Sequence, residues 1–314
     1  MEIKKFALGF LVSGVAFFVL GFGLISVQEV SPPVPAPSAE LADRLSFMAV
    51  GRQGYDNSDT KRIAASMESL AAQEESHFTI LAGDNFYPKG VDSVVDAQWQ
   101  TKFENLYDGV HLRGMPFYAV PGNHDYRGNL AAQIEYSKNK MGSGRWRMDA
   151  PYYARDFGKV DDRLLMRVIF LDTVSLRKDS LPQVDFLLRE MSKPGDPIWR
   201  IVVGHYPTRS LTDNDFSRDR VLGNLISVLK AAEVDLYISA NDRFQQVLQR
   251  SNEPLHVSTN GGGEKVDPIK SVHSETDFIE GQPGFAHFVV EPNYLKVEMM
   301  DLNGMVSYEK ELEK

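Results

Sequence analysis

Cysteine is absent from the 314 residues, which excludes a disulfide framework and any thiolate metal site. A metal, if one is bound, must be held by His, Asp, Asn, Glu or Tyr. An excess of positive charge is also missing. The 34 Lys and Arg stand against 43 Asp and Glu, a formal net charge of −9, and the basic residues are scattered rather than drawn into a stripe. Nucleic acid is therefore not an expected partner. No internal repeat is present, and no low-complexity tract follows one short proline-rich stretch. The chain does have 43% hydrophobic residues, enough to bury a sizeable core and to exclude a disordered protein.

One long apolar run exists, and it lies at the start. Phe6 to Val27 is 22 uncharged residues, which as a helix rising about 1.5 Å per residue crosses a hydrocarbon core of about 30 Å. A signal-peptide core is shorter, about 7 to 15 residues. Lys4 and Lys5 favour a cytoplasmic N-terminus. The expected organisation is a cytoplasmic stretch over 1–5, a transmembrane signal anchor over 6–27, a Pro-rich linker over 28–44 and a single extracytoplasmic domain over 45–314, with the lipid bilayer as a partner. The alternative is secretion after signal cleavage. Its nearest small-x-small site, Ala36-Pro37-Ser38, lies far beyond the apolar run and contains proline, so the anchor is preferred. "SPPVPAPS", Ser31 to Ser38, reads as an extended spacer of about 3.1 Å per residue.

From Leu45 onward strand and helix patterns alternate. "LSFMAV", "FTILAG", "PFYAVPG", "LLMRVIFLDT", "WRIVVGH" and "VDLYISA" read as strands. Helices are expected over Ser58 to Glu75, where Ile63, Met67, Leu70 and Ala71 recur at helical spacing, over Asp92 to Tyr107, near Gln183 to Ser192, and near Arg218 to Ala231. The last third, "QQVLQR", "LHVSTN", "GFAHFVVE", "YLKVEMMDL" and "VSYEKEL", reads as antiparallel strands between turns. The expected fold class is α/β, with mixed sheets covered by helices.

Five polar turns follow directly on apolar strands: "GRQG" at 51–54, "GDNFY" at 83–87, "GNHD" at 122–125, "GHYP" at 204–207 and "ANDR" at 240–243. Each alone has an ordinary explanation as a turn, a helix cap or a satisfied structural histidine. Together they form a site hypothesis, because ligands of open α/β sheets bind at the carboxyl ends of strands. Asp84, Tyr87, Asn123 and His205 offer oxygen and nitrogen donors suited to borderline or hard metals. His124 is placed to act on a phosphoester as acid or electrostatic donor.

These turns resemble the five motifs of the calcineurin-like metallophosphoesterases, and within them the small tartrate-resistant type of purple acid phosphatase. "GDNFY", "GNHD" and "GHYP" keep the second, third and fourth motifs, and the resemblance runs on through "GNLAAQIEYSK", "RWRMDAPYY", "IFLDTVSL" and "STNGGGEK". It implies two mixed β-sheets packed as a sandwich and flanked by helices. It also implies that Asp84 bridges two metal ions, that Tyr87 binds iron(III), that Asn123 and His205 bind the second metal, and that His124 faces the phosphate. Tyr126 lies where many relatives carry another His. His77, His111, His256, His273 and His287 match none of the metal motifs and read as packing or surface residues.

Three positions depart from the pattern. Arg52 stands where the first motif has a metal-binding Asp, and Asn241 and Arg243 stand where the last motif has two His. A unit charge 4 Å from another interacts by about 4 kcal/mol at an effective dielectric of 20, a trivalent ion by a multiple of that, and Arg cannot deprotonate to relieve the conflict. No iron is expected there. Arg52 or Arg243 is expected to pair with Asp84 instead, and Arg52, Arg243 and Asn241 become candidate contacts for a phosphate or phosphoester. The preferred reading is a pseudophosphatase without cofactor that binds a phosphoryl ligand or a protein partner at a membrane surface. One alternative is a phosphomonoester hydrolase using a single divalent metal at Asp84, Asn123 and His205. The other is a structural, partner-binding ectodomain.

Overall fold

The computed structural model describes residues 32–212, 219–262 and 276–314. The apolar run over 6–27 lies outside them, and among the described residues no helix is long and apolar enough to cross a membrane.

Two seven-stranded sheets make the frame. The first is built around β1 (Leu45–Val50), β2 (Phe78–Leu81), β3 (Phe117–Ala119) and the short β4 (Trp146–Arg147), all parallel. On the far side of β1 it continues antiparallel through β12 (Gly284–Val290), β13 (Tyr294–Asp301) and β14 (Val306–Glu313). The second sheet has a parallel centre of β6 (Arg163–Phe170), β7 (Trp199–Val203), β8 (Leu236–Ser239) and β10 (Leu255–Ser258). Antiparallel β5 (Tyr153–Val160) borders it on one side, with β9 (Gln245–Leu248) and β11 (Thr276–Glu280) on the other. The expected fold class is therefore the observed one.

The near-continuous apolar runs of the central strands follow from burial on both faces. Phe47, Phe78 and Phe288 of the first sheet meet Val168, Ile201, Ile238 and Val257 of the second in one core between the sheets. The outer face of the first sheet is covered by α1 (Ser58–Gln73) and α2 (Leu130–Lys138), through Ile63, Met67 and Tyr136. That of the second is covered by α3 (Thr173–Leu176), α4 (Leu181–Met191) and α5 (Arg220–Ala231), through Leu176, Leu187 and Leu225. α1 begins where expected because Asn57 caps it: its side chain accepts from Thr60 N at 2.9 Å, and Thr60 Oγ1 accepts from Asn57 N at 3.3 Å.

Two expectations change. The helix read over Asp92 to Tyr107 is mostly turns around one wide π-helical turn, Gln100–Glu104, in which Asn105 N–H reaches back to the Gln100 carbonyl at 2.8 Å. Trp99 and Phe103 are buried there in an aromatic cluster with Trp146 and Tyr136, and that tertiary packing overrides the regular period.

The proline-rich stretch, read as a spacer, lies along the domain over its described part. Val34 N–H donates to the Val110 carbonyl at 2.7 Å. Further on, Gly158 and Lys159 of β5 donate to the Ala39 and Ala42 carbonyls at 2.7 and 2.9 Å. Ala36 packs on the helix-side core, and Ala39 and Ala42 pack on the core between the sheets. This strap fits closely: a Cβ on Gly114 would stand 1.9 Å from the Val34 carbonyl oxygen. It also covers two N–H groups of an edge strand.

Candidate functional site

The five turns come together. Arg52 N–H donates to the Gly83 carbonyl at 2.9 Å, Tyr87 N–H to the Gly54 carbonyl at 2.9 Å, Gly90 N–H to the His124 carbonyl at 2.8 Å, and Ala240 N–H to the His205 carbonyl at 3.0 Å. The two sheets approach so closely at this end that a Cβ on Gly51 would lie 2.3 Å from the Ala240 Cβ. The first glycine of the pair around Arg52 is thus required by close approach. Arg52, Asp84 and Asn241 all hold left-handed φ angles of 60°, 57° and 60°. Each such residue costs on the order of 1–3 kcal/mol, and outliers of this kind cluster where side chains must be presented to a site.

Asp84 is the centre of a buried polar network. Its Oδ2 accepts from the Tyr87 hydroxyl, its Oδ1 accepts from the His124 N–H at 2.9 Å, and His205 Nε2 lies 3.4 Å from Oδ1. Burial alone would raise its pKa, but the charge and hydrogen bond of His205, helped by Tyr87 and the His124 N–H, hold the carboxyl well below the usual carboxylate range. The cation in this ion pair is a residue predicted as a metal ligand. Arg52 reaches Asp84 through an intermediary: its Nε donates to the Tyr87 oxygen at 3.2 Å and its Nη1 to the Asp242 carbonyl at 3.1 Å.

His205 is fully buried, with Nδ1 2.9 Å from the Ala82 carbonyl and Nε2 3.2 Å from Asn123 Oδ1. A ring with acceptors at both nitrogens is best satisfied as an imidazolium. Burial works against that charge, but the Asp84 carboxylate outweighs it, and the pKa of His205 is raised. Tyr87 is pushed strongly up, first by burial and then by the charge of Asp84, so it stays a neutral phenol despite Arg52.

His124 is half-buried beside Tyr87, ring centroids 4.1 Å apart, with Nδ1 donating to the Pro88 carbonyl at 2.7 Å. That leaves Nε2 for a ligand. Asn123, Asn241 and Arg243 are also half-buried, whereas Arg52 is only 4% exposed. Tyr126 donates its hydroxyl to Asp172, whose other carboxylate oxygen accepts from the first N–H groups of α3.

Two buried carboxylates in these turns were not singled out from the sequence, although both stand in the quoted motifs. Asp125 accepts from Gly122 N–H at 2.8 Å, Asn85 N–H at 3.1 Å and Gln133 at 3.0 Å, and so ties the second turn to the third. Burial, and then the charge of Asp84, push its pKa up to about 6. Asp242 fixes the fifth turn. The signal for both was an Asp at a strand end among apolar neighbours, which marks burial but not a role. The histidines read as packing residues lie apart: His77 and His287 meet Ser46, His111 meets Glu68, and His256 meets Thr208. His273 lies outside the described residues.

The donor set does not fit a ferric ion. The Tyr87 oxygen already donates to Asp84 and accepts from Arg52, and a guanidinium stands where an anionic ligand would be required. The atoms Asp84 Oδ1, Asn123 Oδ1 and His205 Nε2 do converge, and they are of a kind that can hold a divalent ion.

A calcineurin-like phosphoesterase family model matches residues 56–240. Tartrate-resistant acid phosphatase type 5 of Rattus norvegicus is 30% identical over 272 residues, covering 78% of this chain and 80% of its own length. Purple acid phosphatase 4 of Arabidopsis thaliana is 28% identical over 319 residues, 92% of this chain and 89% of its own. Among solved structures, GAP50 of Plasmodium, described as the anchor in the inner membrane complex, superposes with a TM-score of 0.75 at 25% identity, over 86% of this chain and 89% of its own.

Proposed function

Because the chain belongs to the calcineurin-like phosphoesterase family and carries a purple-acid-phosphatase-like domain, we propose that it is a pseudophosphatase whose pocket is held together by side-chain cations and serves binding. The observation that carries the reading is the chain of contacts Arg52 to Tyr87 to Asp84 to His205, which occupies the atoms that would ligate the ferric ion. Without an ion to lower the pKa of water, no nucleophile for phosphoester hydrolysis is evident at neutral pH. The half-buried His124, Asn123, Asn241 and Arg243 suit a phosphate or phosphoester, with the buried Arg52 adding positive charge. The apolar run over 6–27 would anchor the chain in a bilayer and display the domain to a protein partner; the description of GAP50 as a membrane-complex anchor supports this.

Elemental analysis of the purified full chain, with a chromogenic phosphomonoester assay, tests the reading. The expected result is substoichiometric metal and no turnover. A bound metal pair with turnover would overturn it. Alkaline carbonate extraction of membranes tests the anchor, with retention in the pellet as the expected result.

The convergence of Asp84 Oδ1, Asn123 Oδ1 and His205 Nε2 supports a second reading as a hydrolase with one divalent ion held by those atoms. Such an ion would supply an activated water. His124, as an imidazolium, would then protonate the leaving group from Nε2 while keeping its Nδ1 proton on the Pro88 carbonyl. Turnover on adding manganese or zinc, abolished by His205→Ala, would favour it.

A further inference from the structure

The three positions that depart from the family pattern, 52, 241 and 243, share one neighbour. Asp242 is fully buried and lies between the second and third of them in the chain. Its own carbonyl accepts from Arg52 Nη1 at 3.1 Å, and its Oδ1 accepts from the Arg243 N–H at 2.7 Å. Its Oδ2 accepts from the Ser210 hydroxyl, from Thr212 Oγ1 at 3.0 Å and from Gln246 Nε2 at 2.7 Å. A carboxylate accepting this many bonds from two segments fixes both, because turning either away leaves a buried charge short of donors.

We propose that Asp242 is the positioning residue of the binding site: its carboxylate locks the fifth turn to the Ser210–Thr212 loop and thereby places Asn241 and Arg243 toward an anion while its carbonyl holds the buried Arg52. This rests on the reading of the pocket as an anion-binding site. The left-handed φ of 60° at Asn241 agrees with a turn held by its surroundings rather than by its own preference. Asp242→Asn keeps the size of the side chain but replaces one acceptor oxygen with a donor, so it cannot serve Ser210, Thr212, Gln246 and the Arg243 N–H at once.

The experiment uses the full chain in detergent with two readouts. The first is the side-chain Nε–H resonance of Arg52 in protein labelled with nitrogen-15 at arginine, assigned by its loss in Arg52→Lys. In the wild type it donates to Tyr87 and should be sharp and slow to exchange. The second is calorimetric titration with inorganic phosphate. In Asp242→Asn the resonance should broaden or move toward that of a solvated guanidinium, and phosphate affinity should fall at least tenfold. The double variant Ser210→Ala with Thr212→Val should show a smaller change of the same kind, and it replaces Asp242→Asn if that protein does not fold. An Arg52 resonance unchanged in the folded variant overturns the proposal. Absence of phosphate heat in the wild type overturns the anion-binding reading instead, and the resonance then decides the positioning role alone.

Discussion

Arg52 keeps its charge at any pH the fold survives, so the contacts it makes are permanent parts of the pocket. Arg52→Ala would leave the Tyr87 hydroxyl and the Asp242 carbonyl without that donor. A loss of about 1–3 kcal/mol in urea denaturation is expected. A variant as stable as the wild type would show that the guanidinium contributes no cohesion. The converse experiment rebuilds the family's ligands. A triple variant, Arg52→Asp with Asn241→His and Arg243→His, removes both cations and returns the residue types of the family pattern at all three positions. It is expected to retain ferric ion on desalting and to show a visible charge-transfer band, with none in the wild type. The turns that hold these residues were legible in the sequence, because polar residues after apolar strands are a local pattern. Which cation reaches Asp84 was not legible. Two arginines were candidates, and the ion pair is made by His205 because the Ala82 carbonyl, just beyond β2 of the other sheet, fixes its Nδ1 and aims Nε2 at the carboxylate.

Strands and helices with strong periodicity appear where the sequence places them, while the differences arise where a distant contact decides. The strap from Pro32 to Ala42 has the composition of a spacer, and only the narrow seat beside Gly114 and the free N–H groups of β5 turn it into part of the domain. Gly114→Ala should unseat it. Limited proteolysis read by intact mass should then show faster cleavage within residues 32–44, and an unchanged rate would argue that the seat does not hold the strap. A second tie joins β12 to β13, where His287 and Glu298 are directly opposed. His287 Nδ1 and Lys296 Nζ each lie 2.7 Å from a Glu298 oxygen. The hydrogen bond from His287, helped by Lys296 and opposed by burial, holds the Glu298 carboxyl down to about 2. A depressed folded-state pKa means that this contribution is complete above the ordinary glutamate range and is lost as pH falls through about 2. The stability difference between wild type and Glu298→Gln should therefore be largest near neutral pH and shrink below pH 4; a difference constant down to pH 2 would contradict it.

The molecule as a whole rests on the apolar layer between its sheets and the helical layers outside them. If the pocket is held by side-chain cations, strong chelators should leave the thermal midpoint unchanged. A drop after dialysis against dipicolinate, reversed by a divalent ion, would show that a ligand stabilises the native state by mass action. The strap also sets how the domain would carry load. A pull at Pro32 does not first meet β1; it meets the hydrogen bonds from Val34 to Val110 and from β5 to Ala39 and Ala42, arranged in series along the surface. Those contacts would yield before the sheets do, so the strap would act as a mechanical fuse, letting out slack while the pocket keeps its shape.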